Sequence, residues 1–520
     1  MKSAIKLPHF IQNGMIIQRD KNIRLWGDAS ANSTVSVRIS GTNLAQTPVE
    51  TADETKTDSD GHFTFSLPSL PASRDCTLTF TCNGESVSYN DILVGDVWLA
   101  SGQSNMELYL KYDRDWDRVH RLFSNPDIRI YNVPQVAFEG HVTHGPASYG
   151  KWLKPRDEGF EYSTAAGYSF ALEIQAAIGV PVGIIGCYWG GSTASAWVPE
   201  HVLKKAPLDN YFKEYDDAVK GIDPEVLREE SLKGWAFEDS AKHGADFEPL
   251  LYGRDRDWQL QYMKDHAGEP CIPMGPYNIN RPCGLYHHML STLIPYSIKG
   301  VIWYQGESDC GGRAAYYDKL MTALIEDWRE EWSDNFPFIF VQLAPFGKWL
   351  DCTSVDYKVV REKQEYVSKT VPDTYMASIM DIGSYYDIHP KLKMEVGRRL
   401  ALLARGHVYN DSALLCDSPE FKDAYLDKNN RIVISFEHAD SLHISGTGTD
   451  IALRYNDNEI ISLNDVVAVS DGLIVSLPTS IAPKAGDTLE LMVGWDDFAQ
   501  IFIHNRNGLP IKPFKTSITV

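Results

Sequence analysis

From Asp91 to about residue 407, strand-like apolar runs alternate with helix-like segments, and no other feature constrains the fold of this chain as strongly. DILVGDVWLA, VPVGIIGCYWG, IKGVIWYQ, FPFIFVQLA and TYMASIMDI are short and almost continuously apolar. AAGYSFALEIQAAI carries Phe170, Leu172, Ile174 and Ile178 at helical spacing, and AAYYDKLMTALIEDWREEW, SVDYKVVREKQEYVSK and KLKMEVGRRLALLAR also read as helices. A strand that is apolar on both sides must be covered on both sides, so the pattern predicts an α/β domain with a parallel sheet between helical layers. Residues 200–282 break the alternation. They are charged, aromatic and helical in pattern, as expected of an insertion between two strands of the sheet.

The flanks read differently. NIRLWGDA, STVSVRIS, HFTFSLPSL and CTLTFTC alternate or are β-branched and aromatic, with Gly, Asn, Asp and Pro between them. RIVISFEH, DIALRYND, LIVSLPT and TLELMVGW do the same after residue 408. A chain of 520 residues exceeds a single simple core. Three domains are therefore expected: a β-sandwich-like domain over 1–90, the α/β domain over 91–407 with its insertion at 200–282, and a β-rich domain over 408–520.

With 49 Lys and Arg against 70 Asp and Glu, the formal charge is −21. Such a chain suits neither nucleic acid nor an anionic membrane surface as a partner. No stretch approaches the roughly 18 apolar residues that cross a bilayer. MKSAIKLPHFIQNGM lacks the apolar run of a secretory signal, so a cytoplasmic location is expected. The eight cysteines are scattered without a CxxC pair. Cys76 and Cys82 on one strand would lie about 20 Å apart, too far to bond. All eight are expected as reduced thiols, with neither a metal site nor any other cofactor.

In an open α/β sheet, function concentrates at the carboxyl ends of the strands. The polar residues found there are Ser104 in GDVWLASGQSNMEL, then Gly190, Gly191 and Ser192, then Gln305 and Glu307, and finally Asp381 with Asp387-Ile388-His389. They supply a nucleophile, an imidazole base, an orienting acid and oxyanion donors, the inventory of serine acyl transfer. Each also has an ordinary reading. Ser104 suits a helix N-cap, His389 is one of 15 histidines, Glu307 suits a buried brace, and aromatics flanking strands, such as Trp189, Trp197, Trp303 and Tyr304, are more often core than sugar platforms.

GDVWLASGQSNMEL, WGGSTASAW, IKGVIWYQGESD and DIHPKLKMEVGRRLA, in that order, resemble the motifs of the sialate O-acetylesterase-like family, carbohydrate acetylesterases of the SGNH/GDSL hydrolase superfamily. MIIQRDKNIRLWGDA and HNRNGLPIKPFKTSI are similar to the family's N-terminal and C-terminal pieces. The resemblance implies a three-layer α/β/α SGNH-hydrolase-like core flanked by β-domains. It implies Ser104 as nucleophile, His389 as base and Asp387 as the acid that orients it. Asp381 is the rival acid, and a backbone carbonyl is another way to hold the histidine. The implied oxyanion donors are the Ser104 N–H, an N–H of the Gly190-Gly191 turn and the Gln305 amide. Glu307, Trp197 and Arg313 are the substrate-binding candidates, with Arg281 a further cation for an acidic sugar. Asp309 stands where the family often has Asn. The implied reaction removes O-acetyl groups from sialic acid or from acetylated oligosaccharides through an acetyl-enzyme, without metal. The alcohol side of the substrate is expected against the 200–282 insertion and the Cys310–Arg313 loop. The competing readings are a carbohydrate-binding protein with a degenerate hydrolase core, and a lipase or thioesterase of the same superfamily. No feature bears on oligomeric state.

Overall fold

An 18-residue strand, Glu85–Gly102, organises the first half of the molecule. Its amino-terminal half, ESVSYND, alternates between exposed and half-buried positions, whereas every residue from Ile92 to Gly102 is buried. The change marks a passage between two kinds of sheet. The first half pairs antiparallel with Ser73–Cys82, which pairs with Thr34–Asn43 and through it with Pro48–Lys56. The second half lies parallel to Val182–Tyr188 on one side and Gly300–Tyr304 on the other. Ile128–Asn132 extends the parallel sheet beyond Val182–Tyr188, and the short Trp152–Leu153 closes that edge antiparallel. The expected boundary at residue 90 thus falls inside one continuous strand.

The computed structural model describes residues 5–142, 144–456 and 459–520, with backbone only at 241–244. The chain divides into two compact units. The first comprises residues up to Ser308 with Lys319–Phe338 and Lys393–Arg398. The second comprises Asp309–Asp318, Ile339–Leu392 and Arg399–Val520.

Within the first unit, helix Ala165–Ile178 starts where the Thr164 hydroxyl accepts from Gly167 N–H (3.1 Å) and stops at Gly179, which takes φ +70°. These are ordinary start and stop devices. Phe170 on this helix packs edge-on to Trp98 of the long strand, with ring centroids 4.9 Å apart. Asp96 is the one acidic residue in that strand's buried half. It is neutralised by a two-pronged bond from Arg19 (2.9 and 3.0 Å) and a further one from Gln18. A buried carboxylate without such partners would cost several kcal/mol. The insertion is helical as its pattern predicts, with helices Asn210–Val219, Pro224–Glu238, Ala241–Tyr252 and Arg256–Asp265.

The second unit holds strands Phe338–Val341 and Thr374–Ala377, helix Tyr357–Thr370, and the C-terminal β-rich region. There, two four-stranded antiparallel sheets bury one core in which Ile432, Ile434, Leu473 and Val475 from one sheet meet Leu453, Leu489, Leu491 and Val493 from the other. Strand Arg431–Glu437, RIVISFE, shows the alternating burial its sequence predicts. All eight cysteines are free, and Cys76 and Cys82 do share one strand. Among the described residues, no helix is long and apolar enough to cross a membrane.

Candidate active site

Three parallel strands of the first unit end level with one another. Ser101 pairs with Cys187 and Trp303, and Gly102 pairs with Tyr188 and Tyr304. The loops that follow, Gln103-Ser104, Trp189-Gly190-Gly191 and Gln305-Gly306-Glu307, therefore leave the sheet at one height. This brings together three of the four stretches that the sequence singles out.

The turn into Ser104 depends on Gly102. It takes φ +133°, and a Cβ there would lie 2.2 Å from the Tyr304 carbonyl oxygen, so only glycine fits. Gln103 then ties the serine loop to its neighbour. Its N–H donates to Tyr304 O (3.1 Å), and its side-chain oxygen accepts from Ser308 N–H (3.2 Å) and Gly306 N–H (3.4 Å). Ser104 is the first residue of a four-residue helix whose N-cap position is Gln103, so the reading of Ser104 as an N-cap does not hold. Its neighbour Asn105 donates to Glu307 Oε1 (2.5 Å) and accepts from the buried ammonium of Lys393 (2.6 Å). Lys393 also sits 4.9 Å from the centre of the Tyr304 ring. Through this bond Glu307 braces the serine loop.

Glu107, three residues after Ser104, has a larger part than the sequence suggested. Its buried carboxylate accepts from Gly190 N–H (2.7 Å), Gln135 Nε2 (3.1 Å) and Tyr109 OH (3.2 Å). Burial pushes this carboxyl above its ordinary value, against the pull of the Gln135 and Gly190 donors. The Gly190 N–H is thereby committed to Glu107, which corrects the expectation that it serves an oxyanion. The neighbouring Gly191 has φ +76° and faces open space. Its carbonyl accepts from Ser308 Oγ (3.0 Å) and Asn280 Nδ2 (3.2 Å), while Asn280 Oδ1 accepts from Thr193 N–H (2.8 Å). Asn280, at the close of the insertion, thus holds the glycine turn in place. Gln305 is fully buried and turns one amide N–H towards Ser192 O (3.3 Å).

Trp197 is also fully buried. Its indole N–H donates to Ser192 Oγ, and its carbonyl accepts from Trp328 Nε1. It is core, which corrects its expected place against a sugar. Trp303 and Tyr304 are fully buried too. Trp189 is the aromatic that borders open space: with Gly190, Glu107 and Tyr252 it lines a cavity of about 860 Å³. The His144 ring stacks on Trp189 at 5.7 Å and 11°. Helices Pro224–Glu238 and Ala241–Tyr252 of the insertion supply Trp235, Glu238, Phe247 and Glu248 to the same cavity. The ionisable side chains other than tyrosine that line it are Glu107, Glu238, Asp239, Glu248 and His144, and no Lys or Arg is among the described lining residues. His144 Nδ1 is 2.6 Å from Asp239.

In the second unit, the His389 side chain is buried, and Trp349 packs edge-on to its ring at 5.1 Å. Asp387 Oδ1 accepts from the His389 backbone N–H (2.8 Å) but lies 4.0 Å from the ring Nδ1, beyond hydrogen-bonding range. Asp387 Oδ2 is 3.1 Å from Lys391 Nζ. The expected direct carboxylate bond to the imidazole is thus replaced by a bond that fixes the loop carrying it. Asp381 is fully engaged elsewhere, by Arg399 at 2.6 and 2.7 Å and by His504 at 3.0 Å, which hold its carboxyl down at about 2. It braces its strand end. Arg313 is half-buried on the 3₁₀ turn Gly311–Tyr316.

The chain is 24% identical over 458 residues to sialate O-acetylesterase of Rattus norvegicus, spanning 83% of this chain and 78% of that one. It is 25% identical over 450 residues to the Homo sapiens enzyme, spanning 80% and 73%. The crystal structure of XAC1771, described as a novel carbohydrate acetylesterase from Xanthomonas citri, superposes with a TM-score of 0.73 at 27% identity, covering 98% of this chain and 99% of that one. Residues 278–404 match the family model described as carbohydrate esterase, sialic acid-specific acetylesterase. The chain is a carbohydrate esterase similar to the sialate O-acetylesterases. Gln305, Glu307, Arg313, Asp387 and His389 lie inside the segment matched to this esterase family, and Ser104 and Gly190-Gly191 precede it. Sequence reasoning missed Glu107 and Asn280. Glu107 had a signal, since a carboxylate in a motif without Lys or Arg must find other partners when buried. Asn280 had none, because its partners lie almost 90 residues away.

Proposed function

We propose that this carbohydrate esterase uses Ser104 as its nucleophile and His389 as its general base. Ser104 Oγ attacks the acetyl carbonyl carbon as His389 takes the hydroxyl proton. The tetrahedral oxyanion collapses, the bond between the acetyl carbon and the sugar oxygen breaks, and protonated His389 gives its proton to that departing oxygen, which leaves as the sugar hydroxyl. Water, deprotonated by His389, then attacks the acetyl-Ser104 ester and releases acetate. The Ser104 N–H, the Gly191 N–H and the Gln305 amide are the oxyanion donors in this reading, each worth a factor of about 10² to 10³ in rate. The observation that carries it is the common height at which the Ser104, Gly190-Gly191 and Gln305 loops leave the sheet.

The sugar in this reading is uncharged. The cavity beside Gly190 is lined by four carboxylates and no Lys or Arg among its described residues. Two like charges about 6 Å apart repel by about 3 kcal/mol at an effective dielectric constant near 20. Glu248 is paired with Lys111 and Asp239 with His144, which leaves Glu107 and Glu238 to oppose a sialate carboxylate, whereas a neutral acetylated oligosaccharide meets no such opposition. Trp189 and Trp235 offer such a sugar stacking faces.

The test is acetate release from O-acetyl sialic acids and from neutral acetylated oligosaccharides, with p-nitrophenyl acetate and octanoate beside them. Faster turnover of neutral acetylated sugars, abolished in Ser104→Ala, is expected. Absence of hydrolysis by the unmodified protein would favour a carbohydrate-binding protein, and preference for octanoate a lipase.

A further inference from the structure

The second unit contains a convergence of side chains with no part in the ester chemistry. His407 Nε2 lies 3.0 Å from Asp417 Oδ2 and 3.6 Å from Cys416 Sγ, and Cys416 Sγ lies 3.3 Å from Asp417 Oδ2. From this geometry we propose that His407, Cys416 and Asp417 form a binding site for a zinc-like divalent cation.

The arrangement differs from a proton relay. In a Cys-His-Asp relay the acid holds one ring nitrogen and the thiol faces the other. Here thiol and carboxylate both face Nε2, so three donor atoms point at a single place. Zinc bonds to nitrogen and oxygen are about 2.0–2.2 Å and to sulfur about 2.3 Å, so tetrahedral ligands stand roughly 3.3–3.6 Å from one another. The three observed separations fall within a few tenths of an ångström of that. Without a metal the same contacts are a His–Asp ion pair with the Cys416 thiol donating to Asp417, and the cobalt titration below separates the two readings.

Two features of the backbone bring the donors together. His407 sits in a π-helical turn, Ala404–Val408, at the end of helix Lys393–Leu403. Such wide turns re-aim side chains and recur at functional sites. Gly406 makes room for the thiol, since a Cβ there would lie 2.3 Å from Cys416 Sγ. The Tyr375 ring lies flat on the imidazole at 4.2 Å and 8°, which fixes its plane. Cys416 is buried, whereas the His407 and Asp417 side chains are 30% and 25% exposed, leaving an opening for the ion and for a water as fourth ligand. A thiol with an imidazole selects a borderline or soft cation such as Zn²⁺ over Mg²⁺ or Ca²⁺. Binding converts the Cys416 thiol into a metal thiolate and releases one proton to solvent, with no change in oxidation state. The site escapes a search for CxxC pairs because its ligands are spaced His-x8-Cys-Asp.

The experiment uses the full chain without a histidine tag, stripped with chelator and titrated with Co²⁺, then with Zn²⁺. One Co²⁺ per chain, a thiolate-to-cobalt charge-transfer band in the near ultraviolet and its loss on adding Zn²⁺ are expected. Cys416→Ser should abolish the band. His407→Ala and Asp417→Asn should each weaken Zn²⁺ binding at least by the roughly 10- to 100-fold that loss of an outer-shell partner costs. Circular dichroism confirms that each variant is folded, and Asp417→Asn, nearly isosteric, stands in if Cys416→Ser is not. No charge-transfer band in the unmodified protein, or a band that survives Cys416→Ser, overturns the proposal.

Discussion

Replacing Glu107 with Ala tests whether a carboxylate three residues from Ser104 holds the glycine turn. The substitution strands three buried donors: Gly190 N–H, the Gln135 amide and Tyr109 OH. Each orphaned buried group costs about 1–3 kcal/mol. Water from the adjoining cavity can satisfy part of this, so a net loss of about 3 kcal/mol is expected. Activity should fall further than stability suggests, because a shift of about 1 Å at Gly190-Gly191 is enough to cost roughly 100-fold in rate. Glu107→Gln separates charge from hydrogen bonding. It keeps one acceptor oxygen and removes a charge that burial disfavours, so it should lose less than about 1 kcal/mol at neutral pH. The folded carboxyl is raised, so its contribution to stability is complete below the ordinary glutamate value of 4.5 and declines as pH rises through the folded value. Glu107→Gln should therefore gain on the unmodified protein as pH rises. The assays are thermal melting from pH 4 to 8 and kcat/KM on p-nitrophenyl acetate. If Glu107→Ala keeps its melting temperature and stays within twofold of the original kcat/KM, the bracing argument is wrong.

Ser104→Ala should leave the melting temperature unchanged and lower kcat by about 10³-fold or more, read as acetate release. Trp197→Ala should cost about 3–5 kcal/mol in chemical denaturation, the usual penalty for emptying a fully buried indole site. Trp189→Ala should instead raise KM for an acetylated oligosaccharide and leave p-nitrophenyl acetate turnover nearly unchanged; equal effects on both substrates would remove Trp189 from sugar binding. Asp381, held near 2 by Arg399 and His504, contributes about 2 kcal/mol of stability that is present above the unfolded value of 3.8 and lost as pH falls through the folded value. Asp381→Asn should therefore be less stable at pH 7 and converge with the unmodified protein near pH 2 in acid-unfolding curves.

Periodicity carried most of the fold. The apolar runs from Asp91 onward, the helix Ala165–Ile178 and the C-terminal strands were legible because their patterns repeat at the period of the structure they form. The boundary at 90 was not, because a composition shift does not reveal that one strand serves two sheets. For the site, the strand-end rule placed the loops of Ser104, Gly191 and Gln305 at one edge of the sheet, where the strands end level. Gly190, whose N–H turns to Glu107, and Trp197, which is buried core, differ from what that rule predicts, because strand-end position does not show which way an N–H or a side chain faces. Asp387 illustrates the same limit: two residues before His389 is the right spacing for a carboxylate that holds the ring, and equally for one that holds the backbone. One-dimensional spacing cannot tell these apart, because the difference is a rotation about a few side-chain bonds.

The long strand Glu85–Gly102 has a consequence for how this molecule can be taken apart. The residue two places before Ser104 ends a strand whose opening residues belong to a sheet built from the first eighty-odd positions of the chain. Trimming away that opening sheet would leave unpaired edges on the very rod from which Ser104 hangs. The N-terminal β-region is therefore no detachable ornament: in any shortened or chimeric protein it must travel with the serine.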